Sequence, residues 1–323
     1  MKNNVNLATS ASITTTYAGE AAGKYVAAAL LSANSIESGA ITVRPNIKYK
    51  EVIKKLSVND VLKDATCDFN ATSTLTVTER ILTPEEFQVN LQLCKSDYAS
   101  DWNAVEMGYS AFDTLPKSFA DFLIAHVIAK VAQKNETNLW SGVTANEGEY
   151  DGFETIMTTA ADQPASQEVS GSAFSAANII AQLRGGVDVV PNRLLGDPNL
   201  RIYIGVEAAK FYVQALGGFG ASGLGAAGMN TQGSMWYDNG ALTIDGIRCQ
   251  VCNGISDDVA IITTVDNLYF GCGLQSDDNL VKVLDMSDVD GSKNCRVVMR
   301  MTAGAQIANV EDVVTVGITN GSN

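Results

Sequence analysis

The stretch LPKSFADFLIAHVIAKVAQKNETNLW, residues 115–140, has the pattern of one long uninterrupted helix. Thr114 can cap this helix, and Pro116 lies in its first turn, where the missing backbone N–H costs nothing. The next residues that would stop a helix are Ser141 and Gly142. At a rise of 1.5 Å per residue, the pattern therefore predicts a helix roughly 39 Å long.

The centre of this stretch, residues 119–132, is apolar on nearly all sides, with Asp121, His126 and Lys130 as the exceptions. A helix that is apolar all round is buried, so we expect protein to cover it on more than one side. The three polar residues and the short apolar run argue against a membrane span. The pattern thus predicts a core helix around which other segments pack.

The composition of the 323 residues is that of a large globular protein with an acidic surface. Hydrophobic residues make up 46% and charged residues 18%, which excludes a disordered chain and allows a sizeable core. The net charge of -14 disfavours sequence-specific nucleic-acid binding, because such binding needs a basic surface. Acidity suits a soluble protein whose copies must not aggregate indiscriminately.

The cysteines and the N-terminus both indicate an intracellular protein. Six cysteines are scattered over the chain and do not form the dense framework of a small secreted domain, so we expect reduced thiols. The first residues, MKNNVNLATSASITTT, contain no apolar segment of the kind that a signal peptide needs. We therefore expect folding and assembly in a cytoplasm.

Before the long helix, the chain passes from a polar arm into an extended excursion. Residues 1–16 are rich in Ser, Thr and Asn, residues 17–33 favour a short helix, and residues 41–43 favour a strand ended by Pro45. In residues 46–93, apolar and polar residues alternate in the manner of strands, but few of these residues could form a hydrophobic core.

The excursion begins with a basic segment in an otherwise acidic chain. Residues 44–63 contain two acidic residues and six basic ones: Arg44, Lys48, Lys50, Lys54, Lys55 and Lys63. One interpretation is a solvated edge hairpin, in which lysines prevent edge-to-edge pairing. The other is a basic projection that lies on the acidic surface of a neighbouring copy. In that case assembly should weaken as salt rises, and reversing Lys54 and Lys55 to Glu should reduce particle yield without unfolding the monomer.

After the long helix, the chain alternates loops, helices and strands without a regular βαβ repeat. Residues 143–170 are loop-like, and residues 173–184 favour a helix that ends at Gly185-Gly186. Residues 200–206 favour a buried strand followed by a short helix, and a glycine-rich loop at 217–233 leads into several strand-like segments. Few helices, many strands and no βαβ regularity predict an α+β fold.

The order of these parts resembles that of the major capsid proteins of tailed bacteriophages, which have the Hong Kong 97-type fold. Residues 28–56, 115–142 and 266–314 carry the resemblance. The last of these stretches is similar to the closing strands of capsid proteins from phages related to the gut crAss-like group. The resemblance covers most of the chain, although residues 143–200 match only by their place in the order.

The resemblance implies a division of the chain into four parts. It places an N-terminal arm at 1–38, an extended loop at 44–95, a peripheral domain at 96–169 and 263–323 with its spine helix at 115–140, and an axial domain at 170–262. The extended loop would lap over a neighbouring subunit, which makes its basic residues candidates for intersubunit contacts. The axial domain would point the loop at 217–233 toward the capsomer centre, through Gly217, Gly218, Gly220, Gly223, Gly225 and Gly228.

The resemblance also implies a function. The chain would be a structural protein without a cofactor or catalytic role, assembling into hexamers and pentamers of an icosahedral shell that encloses double-stranded DNA. Its partners would be other copies of itself, a portal protein and, in some systems, scaffold, decoration or minor capsid proteins. It would assemble in the bacterial cytoplasm and end in the virion. The Lys–Asn crosslink of some family members is not carried over, because no diagnostic motif accompanies the lysines.

Nucleotide-binding motifs compete weakly with this interpretation. Residues 218–223 and 223–228 both fit the dinucleotide pattern G-x-G-x-x-G, but a helix-like segment precedes them where the motif requires a strand. Residues 19–24 are similar to a phosphate-binding loop, but the spacing is one residue short and Tyr25 replaces the Ser or Thr that binds Mg²⁺.

Metal-binding motifs are equally incomplete. Cys249 and Cys252 form a lone C-x-x-C, and their spacing along a strand puts the two side chains on opposite faces, so we expect two buried thiols. Residues 288–291 hint at a calcium loop, but Met286 and Val297 would stand at ligand positions. We therefore expect a turn at residues 288–291.

Two other functions stay open. A cellular nanocompartment shell, of the encapsulin kind, shares the fold and is disfavoured by the phage-like closing strands. A soluble α+β enzyme would need His126, the only histidine, for Ser-His-Asp, Cys-His or His-metal chemistry. We interpret His126 as a residue of a core or an interface. A carboxylate-only hydrolase has no positive support.

Overall fold

The computed structural model describes residues 34–58, 62, 64, 67, 75–94, 117–217, 242–273 and 281–321. The helices are α1 (Asn34–Glu37), α2 (Lys117–Ser141), α3 (Phe153–Thr158), α4 (Ile179–Asp188), α5 (Val206–Gly217) and α6 (Ser287–Asp290). The strands are β1 (Thr42–Arg44), β2 (Glu51–Val58), β3 (Leu75–Leu82), β4 (Glu85–Cys94), β5 (Glu168–Val169), β6 (Leu200–Ile204), β7 (Thr243–Ile244), β8 (Ile247–Val251), β9 (Ala260–Thr264), β10 (Leu268–Cys272), β11 (Val281–Asp285), β12 (Asn294–Ile307) and β13 (Val314–Val316). Short 3₁₀ turns lie at Ala165–Gln167, Val265–Asn267 and Val310–Asp312.

Several of the sequence-based predictions lie outside the described residues. These are the polar arm and short helix before residue 34, the capping role of Thr114, the first-turn position of Pro116, the phosphate-loop-like residues 19–24, and residues 218–233 of the glycine-rich loop. Of the predicted N-terminal arm, residues 34–38 are described, and they contain α1.

The chain divides into two compact units. The larger contains residues 29–89, 127–281 and 299–323, and the smaller contains residues 1–28, 90–126 and 282–298. In the smaller unit β11 pairs with β12, where the side chains of Cys295 and Val297 are buried. Between them, Arg296 donates from Nε to Gln92 Oε1 at 3.2 Å.

A six-stranded sheet forms the centre of the larger unit, in the order β5-β13-β9-β6-β8-β7. Strand β6 pairs antiparallel with β9 and parallel with β8. Ile202 and Ile204 lie in one apolar cluster with Leu183 of α4, whereas Tyr203 lies in another with Trp140 of α2. Since successive side chains of a strand point to opposite faces, this sheet is covered on both sides. The buried strand predicted for residues 200–206 is confirmed for residues 200–204, whereas Val206 is exposed and begins α5.

A second sheet in the larger unit joins distant parts of the chain. Strand β1 lies parallel to β10, with Thr42 opposite Tyr269, and β10 pairs antiparallel with the end of β12, where Leu268 faces Ile307. Leu268 and Ile307 are fully buried. The predicted strand before Pro45 is therefore confirmed, and its partner comes from the closing segments.

Helix α4 differs from its prediction at both ends. It begins at Ile179 and continues through Gly185 and Gly186 to Asp188, so the prediction that these glycines end the helix is wrong. A Cβ atom on Gly186 would lie 2.7 Å from Val316 Cγ2 and 3.0 Å from Ile262 Cδ1. The absence of a side chain thus lets the helix approach the sheet closely, which is a packing role and not a terminating one.

The predicted long helix is confirmed as α2, but the part of its apolar centre whose burial is described is less buried than the pattern predicts. Between residues 127 and 135, Val127 alone is buried in this chain. Among residues 124–141, the fully enclosed side chains are Leu139 and Trp140, in the last turns. The expectation that protein covers the middle of the helix on more than one side is therefore not met within the residues 127–135 of a single chain.

The last turns of α2 also hold α1 through a buried polar cluster. Ser35 donates to the Glu136 carboxylate from Oγ and, at 3.3 Å, from its backbone N–H, while Trp140 Nε1 donates to Ser35 Oγ at 2.9 Å. Burial raises the pKa of Glu136, and the hydrogen bonds from Ser35 oppose that rise in part.

The two remaining motif predictions have different outcomes. Cys249 and Cys252 are free and buried, the first in the cluster with Leu183 and the second in the cluster with Trp140, so their predicted opposite orientation is confirmed. Residues 288–291 were expected to form a turn. They instead complete the short helix α6, which Gly291 closes with a φ of 68°, a conformation that glycine adopts without strain.

Candidate self-association surface

The strands β2 and β3 form a two-stranded hairpin that joins neither of the larger sheets. The strands pair antiparallel from Glu51 opposite Leu82 to Val58 opposite Leu75. At the root of the hairpin, Leu82 is fully buried. A Cβ atom on Gly271 would lie 2.9 Å from both Leu82 Cδ2 and Ile47 Cδ1, so a glycine of β10 makes room for the root. The root is therefore an apolar anchor, from which both strands project.

One face of this hairpin, the outward face, carries apolar side chains that the chain leaves open. Val52 stands opposite Ile81, Leu56 opposite Val77, and Val58 opposite Leu75, so all six lie on the same side. Their side chains are 43% to 63% exposed. Lys54 and Glu79 form the fourth pair of this face, at 3.5 Å. An exposed face with six apolar side chains, interrupted by one charged pair, is a candidate interaction surface.

The opposite face of the hairpin, the inward face, is polar and lies over the body of the same unit. Lys55 Nζ binds Glu311 Oε2 at 2.7 Å and Asn309 Oδ1 at 2.9 Å. On the other strand, Arg80 Nη2 binds Asp162 Oδ2 at 3.3 Å. The hairpin therefore has a polar face turned to its own chain and an apolar face turned away from it.

The basic residues singled out from the sequence occupy different environments. Arg44 stacks on the ring of Tyr269 at 5.0 Å and lies 3.9 Å from a carboxylate oxygen of Glu51. Lys55 is engaged by its own chain, as described above, and Lys54 is paired across the hairpin. Lys48 and Lys50 are exposed, and Lys63 lies outside the described residues. The charges best placed to meet a second copy are therefore those of Lys48 and Lys50.

The other predicted site residues give less information. Gly217 is the last residue of α5, and Gly218, Gly220, Gly223, Gly225 and Gly228 lie outside the described residues. His126 is partly buried in α2. Within the described ranges, no group of three or more His, Cys, Asp or Glu side chains could hold a metal ion. None of the helices in the described parts of the chain has the length and apolar character needed to span a bilayer.

Sequence reasoning directed attention to the charges of this hairpin and missed its apolar outward face. The sequence does contain a signal for this face. Val52, Lys54, Leu56 and Val58 occupy alternate positions, and all but Lys54 are apolar, which is the pattern of one strand face. The same alternation is compatible with burial inside the chain, so the exposure of this face required the structure.

Comparison with solved structures identifies the fold. The chain is similar to the capsid of a native GTA particle computed with C5 symmetry, at 12% identity over 92% of this chain and 94% of that chain, with a TM-score of 0.62. It is similar to the capsid structure of the cyanophage P-SCSP1u at 12% identity over 95% and 93% of the two chains, with a TM-score of 0.56. A structure from Mycobacterium phage Che8 matches at 14% identity over 92% of each chain, with a TM-score of 0.52.

At these identities the likeness establishes a common fold, and it extends over nearly the whole length of each chain. The prediction of an α+β fold of the phage-capsid kind is confirmed. No protein-family model matches the sequence, and no curated protein matches it.

Proposed function

We propose that this chain is a structural shell protein that assembles with copies of itself into an icosahedral capsid around phage DNA. The observation that carries the proposal is the apolar outward face of the β2–β3 hairpin, presented by a chain whose fold is shared with phage and GTA capsids. A shell protein needs surfaces that are stable in water only when another copy covers them. No comparable observation favours an enzyme around His126 or a nanocompartment shell.

The finer assignments belong to the same proposal. The fold is of the Hong Kong 97 type, with an arm at 1–38, an extended loop at 44–95, a peripheral domain at 96–169 and 263–323, and an axial domain at 170–262. The β2–β3 hairpin then lies in the extended loop, and the glycine-rich loop at 217–233 lies at the centre of hexamers and pentamers. A portal protein, assembly in a bacterial cytoplasm and kinship with the crAss-like phages are part of this proposal.

Burial of the outward face supplies the driving force for association. Full burial of a Val, Leu or Ile side chain is worth about 1.5–3 kcal/mol, and the six residues of this face are about half exposed in the single chain. Covering them would contribute several kcal/mol in total, which must exceed the entropic cost of association. Because the same contact is repeated around a closed shell, the assembly as a whole is more stable than a single contact between two copies.

Charge sets the specificity of the contact. Copies with a net charge of -14 repel one another at long range, so orientations that bring opposite charges together are favoured over others. Lys48 and Lys50 lie close to the hairpin root and are exposed. They would favour docking on an acidic region of the neighbouring copy, and they would act mainly on the rate of association.

The test places a charge on the outward face. Leu56→Asp combined with Val77→Asp would put two carboxylates at opposed positions of this face. We expect the variant to fold and to remain unassembled, whereas the parent forms capsomers, tubes or shells in negative-stain microscopy and light scattering. Leu195→Asp is the control, since Leu195 is an equally exposed apolar residue outside the hairpin and should leave assembly intact.

Two results would contradict the proposal. One is normal particles from the Leu56→Asp, Val77→Asp variant, which would show that the outward face is not an interface. The other is loss of assembly in Leu195→Asp as complete as that in the Leu56→Asp, Val77→Asp variant. The second result would show that any added surface charge prevents assembly, and that the outward face has no special role.

A further inference from the structure

The inward face of the hairpin closes over a polar cleft within the same unit. The cleft has a volume of about 310 Å³ and is lined on the hairpin side by polar residues, Lys55, Ser57, Thr76, Thr78, Glu79 and Arg80, together with Ile53. On the body side it is lined by Asp162 and by residues 308–311. Apart from Ile53 near the root, the hairpin therefore meets its own body through charged and hydroxyl side chains and not through apolar packing.

The body side of this cleft is held rigidly. Val310 is buried, and the Asn309 backbone N–H donates to Asn267 Oδ1 at 2.7 Å, while Asn267 Nδ2 donates back to the Asn309 carbonyl at 2.8 Å. Gln167 Nε2 donates to the Glu311 carbonyl at 3.0 Å. The Asn309 and Glu311 side chains are thus presented from a backbone that neighbouring residues fix in place.

The hairpin side, by contrast, reaches these acceptors with long flexible side chains. Lys55 and Arg80 contribute one cation from each strand, and each finds a carboxylate across the cleft. Gln306 Nε2 also donates to the backbone carbonyl of Ile81 at 2.9 Å, close to the root. Ion pairs that are open to water are individually weak and are screened by salt.

We propose that Lys55 with Asn309 and Glu311, and Arg80 with Asp162, form an electrostatic latch that fixes the angle of the hairpin before assembly. The apolar root around Leu82 acts as the pivot, and the latch holds the strands at one angle about it. With the latch closed, the outward face points away from the chain that carries it. With the latch open, the hairpin is free to change its angle. The role of the latch in assembly rests on the proposed function, whereas its existence is a property of the single chain.

The latch can be tested by charge reversal. Lys55→Glu places a carboxylate against Glu311 and should open the latch, and Lys55→Glu with Glu311→Lys should close it again. Lys54→Glu is the matched control, because it makes the same change of charge one residue away, on the outward face. All chains also carry Leu56→Asp to weaken association, and they are measured at concentrations at which light scattering shows monomers.

The angle of the hairpin can be measured by the distance between two spin labels. The labels are attached through a keto-bearing unnatural amino acid at Val77 on the hairpin and Val206 at the start of α5, so the six cysteines remain untouched. We expect a narrow distance distribution for the unreversed chain, for Lys54→Glu and for the charge-swapped pair. Lys55→Glu should shift and broaden the distribution, and high salt should broaden that of the unreversed chain.

Two outcomes would overturn the latch. One is a Lys55→Glu distribution identical to that of the unreversed chain, and the other is a charge-swapped pair that stays as broad as Lys55→Glu alone. Because the distances are measured in unassembled chains, failure of the latch is distinguishable from failure of self-assembly. Particle formation by chains without Leu56→Asp or labels tests self-assembly separately.

Discussion

The six-stranded sheet and the β2–β3 hairpin are built from similar residues but bury them differently. In β6 the side chains of Ile202, Tyr203 and Ile204 are fully buried by apolar clusters on both faces. In the hairpin, Val, Leu and Ile occupy one face and remain about half exposed, while the other face is polar. A two-stranded hairpin alone is marginally stable in water.

The difference separates two sources of stability. The sheet receives its stabilisation from the chain itself, so its side chains should determine whether a subunit folds. The hairpin contributes little to the folding of one chain, so its side chains should determine whether folded subunits meet. The following predictions test this separation, beginning with the largest expected effect.

The largest effect should come from a large-to-small substitution in the sheet. Ile202→Ala should lower the free energy of unfolding by about 2–5 kcal/mol, because it removes buried apolar surface and leaves a cavity. Leu56→Ala on the outward face, a change of similar size, should alter it by at most about 0.5 kcal/mol. Denaturant unfolding of the unassembled chains measures both values. If both variants lose the same free energy of unfolding, the sheet and the hairpin contribute equally to the stability of the subunit, and the proposed separation is wrong.

A smaller effect should distinguish the adjacent glycines of α4. Gly186→Ala should destabilise the subunit by about 1–3 kcal/mol, because the new Cβ would meet Val316 and Ile262. Gly185→Ala, whose Cβ would lie 3.7 Å from Val169 Cγ1, should stabilise it by about 0.4–1 kcal/mol through helix propensity. Thermal unfolding compares the pair. Stabilisation by both substitutions would mean that α4 does not need its close approach to the sheet.

The buried carboxyl of Glu136 should make the stability of the larger unit depend on pH. Burial raises its pKa above 4.5, so the folded chain keeps this proton to a higher pH than the unfolded chain does. The resulting stabilisation is complete below about pH 4.5 and is lost as pH rises through the folded-state pKa. Glu136→Gln should flatten this part of the curve of unfolding free energy against pH.

Glu149 provides the control of opposite sign. Hydrogen bonds from Lys134, with further ones from Asn146 and the Val143 N–H, lower the pKa of Glu149 to about 2. Any stability it contributes is therefore present above about pH 4.5 and is lost as pH falls toward 2. Glu149→Gln should leave the slope above pH 4.5 unchanged. If Glu136→Gln also leaves that slope unchanged, another group is responsible for it.

The smallest effect should come from the Lys54–Glu79 pair on the outward face. The two side chains are 65% and 51% exposed, so a double-mutant cycle with alanine should give a coupling of about 0.2–1 kcal/mol that fades with salt. The same cycle read out on assembly should give a different value, because a second copy would remove the pair from water. Identical couplings in both measurements would indicate that this face stays exposed in the particle.

Much of the fold could be predicted because local patterns determine it. The long helix, the buried strand β6 and the strands of the hairpin all follow from the spacing of apolar residues and from stop signals such as Pro45 and Gly142. Residues 143–170, expected to be loop-like, instead contain α3, a 3₁₀ turn and β5, and a short helix replaces the turn expected at 288–291. In α4, Gly186 reflects close packing against Val316, a residue far away in sequence. A local pattern cannot distinguish a glycine that ends a helix from one that admits a neighbouring sheet.

The candidate surface could be predicted only in part. Apolar periodicity indicates that a side chain avoids water but does not indicate whether its own chain or another copy covers it. The middle of α2 and the outward face of the hairpin both illustrate this ambiguity. Similarly, the charge of Lys55 was evident from the sequence, but its engagement by Asn309 and Glu311 depends on the tertiary fold.

The pairing of β1 with β10 and of β5 with β13 has a consequence for the synthesis of the protein. Strand β13 pairs with β5 in the six-stranded sheet, β10 pairs with β1 in the other sheet, and Asn34 donates to the carbonyl of Val251 across 217 residues. A nascent chain therefore cannot complete these two sheets until β10 and β13 have left the ribosome. Folding that depends on such distant contacts is slow. We expect newly made subunits to become competent for association only after β13 has paired with β5 and β9, which would keep incompletely folded chains out of a growing particle.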